Sequence, residues 1–264
     1  MQRETRKRSR STPPARRACG DARVTTREEG VRIAAEQERI VAVHQRRERE
    51  IDADRYAAWN PSAIFLRSGR IRSAALLLAK AGAFPRPGGA CLEIGFGSLG
   101  WLAEMLSWGL RQSDLHGLEL DPARAARARE VFPAADLRVG NATHLPWPDG
   151  FFRLVIASTV FSSILDPAVR RLVAAEVTRV LGPGGALLWY DLRLNNPANP
   201  NVRKVDRSEL RSLFPRLLGS IRSVTLAPPL ARRFAPMSWI LAQVLEAIPI
   251  LRSHLMAVLV KGDR

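Results

Sequence analysis

Three glycines follow a short apolar run in the segment CLEIGFGSLGWLAEML, residues 91–106. With the acid before them they spell E-x-G-x-G-x-x-G, formed by Glu93, Gly95, Gly97 and Gly100. Glycine at these positions permits a tight turn and lets a ligand approach the backbone closely, because no side chain stands in the way. Several nucleotide-binding folds share such a turn, so the residues around it must decide which ligand it holds.

A second acid favours a ligand that contains a ribose. Glu119 ends the next apolar run, 24 residues after Gly95. A carboxylate ~20 residues beyond a glycine turn is typical of one that hydrogen-bonds a ribose diol. Asp121 precedes Pro122 and is predicted instead to cap a helix that begins at the proline. We predict no metal site.

The elements that must position these residues alternate between short apolar runs and helical patterns. The apolar runs predict strands over 90–94, 115–120, 137–139, 154–157 and 186–189, and the helical patterns lie at 99–110, 122–132 and 167–181. Such alternation is typical of an α/β protein with a parallel sheet and helices on both faces. Ligands of these sheets bind beyond the carboxyl ends of the strands, where the glycine turn falls.

The flanking segments divide the chain into three predicted parts. Residues 1–26 have no periodicity, few apolar residues and a proline pair, so we expect a disordered basic tail. Residues 27–84 are expected to hold two N-terminal helices, over 27–54 and 62–82. Residues 85–264 are expected to form the main domain, which ends in a helix over 207–214, a strand over 223–227, a helical insert and a last strand over 255–261.

The composition limits the partners and the compartment. The formal net charge is +16, but only four of the 41 basic residues are lysines, and the positive charge is spread along the chain. Because its one local concentration lies within residues 1–20, we do not expect nucleic acid as a partner. Two cysteines cannot build a disulfide framework, which favours a reducing, cytoplasmic setting. No run of about 18 apolar residues predicts a transmembrane segment.

Four segments together resemble the class I S-adenosylmethionine-dependent methyltransferases, particularly the group called type 11. They are LEIGFGSLG, GLELDP, GNATHLPWPDGFFRLVIAS and EVTRVLGPGGALLWYD, and the resemblance covers about residues 89–191. It implies a Rossmann-like, doubly wound, mostly parallel seven-stranded sheet, an enzyme, and S-adenosyl-L-methionine as cofactor. Residues 85–264 would then be the class I methyltransferase domain.

The resemblance also assigns the cofactor site. The turn from Gly95 to Gly100 would hold the methionine part, with Glu93 near its amino group, and Glu119 would take the ribose hydroxyls. The cofactor-binding residues that it implies are Glu93, Gly95, Gly97, Gly100, Glu119, Leu120, Asn141, Ala142 and Ser158. Two positions depart from the family: Asn141 stands where an aspartate commonly contacts the adenine, and Arg153 stands where an aspartate commonly precedes strand four.

The transfer needs an acceptor aligned with the methyl group, water kept out and, for a hydroxyl acceptor, a base. Ser158 and Thr159 after the fourth apolar run, and Tyr190 and Asp191 after the fifth, are positioned for this role. Asp191 is our candidate base, and the alternative is that it caps a turn or orders the loop. Ser158 is expected to line the cofactor pocket. His144 is expected at the surface or on the pocket lining rather than in catalysis.

The acceptor is less defined by the sequence. The stretch LRLNNPANPNVRKV, residues 192–205, offers asparagines for a polyol and arginines for an anion, or simply forms consecutive turns. Two interpretations are open for Phe234, Met237 and Trp239 of the helical insert. They form an apolar lid over the acceptor, or they pack in the core, which we favour. We predict O-methylation of a small-molecule or glycan-type acceptor. The alternatives are a nucleic-acid or ribosome-directed methyltransferase and a catalytically silent cofactor-binding domain.

Overall fold

One seven-stranded sheet organises the computed structural model, which describes residues 26–97, 100–197 and 199–262. Its strand order is β3-β2-β1-β4-β5-β7-β6. Neighbours from β3 to β5 pair in parallel, and β7 pairs antiparallel with both β5 and β6. The strands are β1 Cys91–Ile94, β2 Leu115–Glu119, β3 Asp136–Val139, β4 Phe152–Ser158, β5 Leu181–Leu192, β6 Leu217–Leu226 and β7 Arg252–Lys261.

The fold is therefore the predicted α/β architecture with a mostly parallel sheet. Chain order reverses between β1 and β4, and ligands of such sheets bind beyond the carboxyl ends of the strands at this reversal. The helices are α1 Arg27–Glu50, α2 Pro61–Lys80, α3 Leu102–Ser107, α4 Pro122–Val131, α5 Pro167–Val180, α6 Arg207–Leu213, α7 Pro228–Phe234 and α8 Trp239–Ala247. Among the described residues, none of the helices is both long and apolar enough to cross a bilayer.

Three of these helices begin with the same N-terminal capping motif. An asparagine or aspartate precedes a proline, and its side chain accepts hydrogen bonds from the backbone N–H groups two and three residues further on. The caps are Asn60 for α2, Asp121 for α4 and Asp166 for α5. The proline needs no N–H partner at the first helical position, so each dipeptide fixes a helix start.

Separate cores cover the two faces of the sheet. On one face the apolar side of α5 packs with α6 against the strands, and α1 contributes only Ile40 as a buried apolar side chain. On the other face α2, α3 and α4 supply the buried residues. A smaller cluster joins α2 to α7 and α8 beside β6. The sheet is thus buried on both sides, which explains the nearly continuous apolar runs in its central strands.

Several boundaries differ from the predictions. The fifth strand was predicted over 186–189, but β5 begins earlier, and the LGPGG segment at residues 181–185 forms its first part. Glycine is required there, because a Cβ at Gly182 would lie 2.8 Å from the carbonyl oxygen of Gly150. The helix predicted over 99–110 is shorter, and β6 and β7 begin earlier than expected. The predicted tail lies outside the described residues, except that Thr26 caps α1.

Candidate active site

A cavity of about 1110 Å³ opens at the carboxyl ends of the parallel strands. One half is lined by the ends of β1 to β4 and by α1, and the other half by β5, the β6–α7 connection, β7 and the N-terminal part of α2. Six of the predicted cofactor residues line the first half. These are Gly95, Glu119, Leu120, Asn141, Ala142 and Ser158.

The glycine turn has the backbone that its sequence predicts. Gly95, Gly97 and Gly100 have φ values of 65°, 64° and 38°, in the left-handed region that favours glycine. Gly95 donates its N–H to the carbonyl of Leu118 at 2.8 Å, which ties the turn to the end of β2. A Cβ at Gly95 would approach Val160 Cγ2 to 3.2 Å. Side chains at these positions would therefore strain the turn and narrow the cavity.

Glu93 lies behind the turn and is not among the residues that line the cavity. Its Oε2 atom accepts hydrogen bonds from the backbone N–H groups of Trp101 at 2.6 Å and Leu102 at 3.1 Å. Burial raises the pKa of Glu93 to about 8, against the opposing effects of these donors and of Arg70. Glu93 therefore shapes the turn from beneath, and direct contact with a cofactor amino group does not follow from this geometry.

Glu119, at the end of β2, hydrogen-bonds to the backbone of the glycine turn. Its Oε2 accepts a hydrogen bond from Gly97 N at 2.8 Å, and its Oε1 accepts from Leu120 N at 2.9 Å and Asp121 N at 3.2 Å. The carboxylate lines the cavity and is otherwise buried. An ionised carboxylate has about four acceptor sites. One therefore remains for a ligand hydroxyl after these three bonds.

Asn141 connects the cofactor half of the cavity to α1. Its Oδ1 accepts from Thr143 N at 2.9 Å, and its Nδ2 donates to Gln37 Oε1 at 3.3 Å. A second Nδ2 hydrogen and further acceptor capacity remain for a base edge. The amide can thus serve at this position, where the resemblance expects an aspartate.

Helix α1 forms one wall of the cavity through polar side chains. Arg124 of α4 donates to Glu48 at 2.8 Å and lies 3.2 Å from His44 Nδ1. Burial, and then the charge of Arg124, lower the pKa of His44 to about 4. His44 lines the cavity as a neutral imidazole at pH 7. It was not identified from the sequence, because its approach to the cavity depends on how α1 packs.

Asp191 is placed differently from the expected base. Its side chain is fully buried and is not among the cavity-lining residues. Oδ2 accepts from Ser162 N at 3.0 Å, and Oδ1 accepts from Leu192 N at 2.9 Å. Burial raises its pKa to about 6. These contacts order the 3-10 turn Phe161–Ser163 beside the cavity, which is the alternative that the sequence left open, and the role of Asp191 as the base stays a prediction.

The neighbouring residue on β5 faces the cavity instead. The Tyr190 hydroxyl lies 3.1 Å from Thr225 Oγ1, and its ring stacks on His254 with centroids 4.7 Å apart. His254 Nδ1 lies 2.8 Å from Ser253 Oγ. Burial, and then the charge of Arg70, lower the pKa of His254 to about 4. This cluster lines the second half of the cavity, and of its members the sequence pointed only to Tyr190.

Two threonines in the cavity wall have unusual backbones. Thr159 and Thr225 have φ values of 57° and 66°. A β-branched residue rarely adopts this region, and each such conformation costs about 1–3 kcal/mol. Thr159 follows β4, and Thr225 lies near the end of β6. The surrounding structure must hold both, and such strain is concentrated at functional sites.

Arginine dominates the charge of the cavity. Six arginines line it, against two carboxylates: Arg47, Arg55, Arg67, Arg70, Arg124 and Arg232, with Glu36 and Glu119. Among the described residues, Arg47, Arg55, Arg70 and Arg232 form no ion pair with a carboxylate. Arg70 stacks on Trp101, 4.9 Å from the ring centroid. Its Nε is buried without a hydrogen-bond partner among the described residues.

The sequence left two roles open for the asparagines of residues 192–205, which are binding the acceptor and forming turns. Asn195 and Asn199 line the cavity but also accept backbone hydrogen bonds from Lys204 and Asn201, so they form turns as well. The insert residues Phe234, Met237 and Trp239 are absent from the described cavity lining. His144 is exposed. In the described ranges, no cluster of three His, Cys, Asp or Glu side chains could hold a metal.

The sheet order, the glycine turn after β1 and the acid that ends β2 define the class I S-adenosylmethionine-dependent methyltransferase fold. Residues 92–189 match a family model described as a methyltransferase domain. This match agrees with the methyltransferase domain that the resemblance implied.

Two curated relatives share this region. A probable S-adenosylmethionine-dependent methyltransferase of Mycolicibacterium smegmatis is 31% identical over 131 residues, which cover 47% of this chain and 49% of that protein. The phthiotriol/phenolphthiotriol dimycocerosates methyltransferase of Mycobacterium tuberculosis is 34% identical over 131 residues, covering 49% and 47%. The chain thus spans about half the length of the curated relatives it matches.

Solved structures share the fold at low identity. Geranyl diphosphate C-methyltransferase from Streptomyces coelicolor, crystallised with Mg²⁺, geranyl diphosphate and S-adenosyl-L-homocysteine, superposes with a TM-score of 0.54 at 16% identity. The match covers 73% of this chain and 78% of that protein. At this identity the likeness supports the architecture alone.

Proposed function

We propose that the chain transfers the methyl group of S-adenosylmethionine to an oxygen atom of a small-molecule or glycan-type acceptor. The observation that carries the proposal is the continuity of one cavity from the glycine turn to the Tyr190–Thr225–His254 cluster. Its volume of about 1110 Å³ slightly exceeds the ~300–1,000 Å³ of typical single-ligand pockets. A cavity of this size can hold a cofactor and an acceptor together.

The residues of the first half fit the cofactor. A turn without side chains at Gly95, an unsatisfied acceptor site on Glu119 and the amide of Asn141 match a ribose and a purine joined to a small chain. When bound, S-adenosylmethionine supplies a methyl group already activated by its positive sulfur. The protein must therefore mainly bind, orient and exclude water.

Arg70 is suited to pair with the carboxylate of the cofactor's methionine part. The residue lies on α2 against Trp101, next to the glycine turn, and its charge acts on Glu93 beneath that turn. Its guanidinium lines the cavity without a carboxylate partner among the described residues. An arginine in this state binds a carboxylate with charge-assisted hydrogen bonds.

His254 replaces Asp191 as the group that accepts the acceptor's proton. With a pKa of about 4 the imidazole is neutral at pH 7, and Nδ1 is engaged by Ser253. Nε2 then remains to accept a hydrogen bond from an acceptor hydroxyl, although so low a pKa makes it a weak base. The unpaired arginines favour an acceptor that carries an acidic group, because they would otherwise leave positive charge uncompensated beside a cationic cofactor.

Calorimetric titration with S-adenosylmethionine and S-adenosylhomocysteine tests the cofactor site first. We expect micromolar binding to the wild type that Glu119→Ala weakens at least tenfold, because the variant loses both the ribose acceptor and the support of Gly97. Acceptors with hydroxyl groups, with and without an acidic group, are then screened by methyl transfer. Equal affinity in Glu119→Ala would remove this site assignment.

The two alternatives predict different results. A nucleic-acid-directed enzyme requires steep salt dependence of binding, and it relies on basic residues at positions 1–20, which lie outside the described residues. A silent domain would bind cofactor without turnover on any acceptor. We further propose that the protein works in the cytoplasm, supported by Cys91, a buried free thiol.

A further inference from the structure

Helix α8 and the turn after it expose a continuous apolar surface, which we call the apolar patch. It consists of Trp239, Ile240, Leu241, Val244, Ile248 and Ile250. Ile240, Val244 and Ile250 are 74%, 56% and 76% exposed. Single exposed apolar residues are normal on a protein surface, but a contiguous group of this kind marks an interaction site.

The patch carries no charge. Only Ala242 of α8 is buried, Ile240 and Val244 lie four residues apart on the same side of the helix, and Ile248 caps its end. Glu246 is the sole charged residue between positions 237 and 250. Its carboxylate faces inward, where it accepts from Arg72 at 3.2 Å and from Leu226 N at 3.4 Å.

Positive charge borders the patch. Arg232 and Arg233 lie in the last turn of α7, the helix that precedes α8, and both are exposed. Apart from the inward Glu246, no carboxylate occurs between positions 228 and 250. An apolar helix face with tryptophan and flanking arginines is typical of a segment that lies in a bilayer interface beside anionic lipids. At nine residues α8 is far shorter than the ~20 residues that span a bilayer.

The patch adjoins the mouth of the cavity. Pro228, Pro229 and Arg232 of α7 line the cavity. Trp239 packs edge-on against Phe65 of α2, with ring centroids 5.1 Å apart, and the preceding Ile64 lines the cavity and is partly exposed. A surface seated on the patch would therefore lie next to the acceptor half of the cavity.

We propose that the apolar patch seats this protein on an anionic lipid bilayer, with α8 lying in the interface and Arg232 and Arg233 facing the lipid phosphates. The net charge of +16 complements such a surface. The proposal needs no methyl transfer, so it can fail while the proposed function holds.

Vesicle sedimentation tests it with the full 264-residue chain. The vesicles are phosphatidylcholine alone and phosphatidylcholine mixed with phosphatidylglycerol. We expect the wild type to bind the anionic vesicles at least tenfold more tightly than the neutral ones, and binding to weaken with salt. Ile240→Glu is expected to reduce partitioning to the anionic vesicles at least tenfold, because it places a carboxylate in the patch.

Val131→Glu is the matched control. Val131 is 51% exposed at the end of α4, beside the β2–β3 edge of the sheet, and it receives the same change of charge. We expect its partitioning within twofold of the wild type. Absence of wild-type binding, or an equal loss of binding in both variants, overturns the proposal. The proposal also fails if light scattering shows that the wild type is a dimer and that Ile240→Glu is a monomer. Val244→Glu replaces Ile240→Glu if circular dichroism shows that the latter is unfolded.

Discussion

Glu93 Oε2 accepts a 2.6 Å hydrogen bond from the backbone N–H of Trp101 and so joins the end of β1 to the start of α3 across the glycine turn. The first N–H groups of a helix have no partner within the helix. A buried carboxyl group placed there accepts hydrogen bonds from two backbone N–H groups at once. The acid of the glycine motif therefore acts on the glycine turn through the backbone.

Glu93→Ala should lower the free energy of unfolding by about 1–3 kcal/mol, because two buried N–H donors lose their acceptor. Glu93→Gln should lower it less, since one carbonyl oxygen can accept both bonds now made to Oε2. Urea denaturation measures both variants. Equal losses would show that the charge, rather than the acceptor, matters.

Gly95→Val should reduce S-adenosylhomocysteine affinity at least tenfold while the fold persists. The valine must adopt a φ of 65°, and its Cβ would meet Val160. Gly82→Val is a matched control, because Gly82 has a φ of 64° with nothing within 4 Å and does not line the cavity. Calorimetry should show unchanged affinity in that variant, and a shared loss would point to general strain.

Arg70→Met should weaken S-adenosylhomocysteine at least tenfold and leave methylthioadenosine, which lacks the amino-acid carboxylate, within threefold. The reason is the loss of the proposed carboxylate partner. Arg72→Met changes the same helix at an exposed position that pairs with Glu246, so its affinities should match the wild type. If Arg70→Met weakens both ligands equally, Arg70 does not bind the carboxylate.

Asp191→Asn should destabilise the protein by about 1–3 kcal/mol, because an amide has one acceptor oxygen for the two backbone N–H groups that Asp191 serves. Thermal and urea unfolding measure this change. A base at this position would instead lose turnover with its stability unchanged, so full stability in the variant would restore the original assignment.

Stability should fall as the pH decreases from about 6.5 to about 4, in part through His254. The pKa of His254 in the folded protein is about 4, below the ordinary value of 6.5. Between these two pH values the unfolded chain binds a proton at this residue and the folded protein does not. At ~1.4 kcal/mol per pKa unit, His254 contributes up to about 3 kcal/mol. His254→Gln should flatten the profile, and an unchanged slope would contradict the neutral imidazole.

Short-range patterns accounted for much of the fold and of the local geometry around the glycine turn. The glycine turn, Glu119 and the Asx-Pro helix starts are each encoded within a few neighbouring residues, and the structure has all three. The cluster of Tyr190, Thr225 and His254 was not predicted, because antiparallel pairing of β7 with β5 and β6 brings together residues distant in the sequence.

Asp191 and Tyr190 show why the sequence alone does not identify the base. Successive side chains of a strand point to opposite faces. A prediction that places the end of β5 correctly still cannot tell which of two adjacent residues faces the cavity. The same limit applies to Arg70 and His44, whose positions depend on how α1 and α2 pack.

Helix α1 is attached to the rest of the protein mainly by polar contacts. Glu36 accepts from Leu165 N, Arg39 donates to Ser163 O, and Glu48 pairs with Arg124, whereas Ile40 is its one buried apolar side chain among the described residues. Local unfolding of α1 therefore requires less free energy than opening the sheet core. Because screening weakens such ion pairs, ionic strength sets how firmly this wall of the cavity is closed.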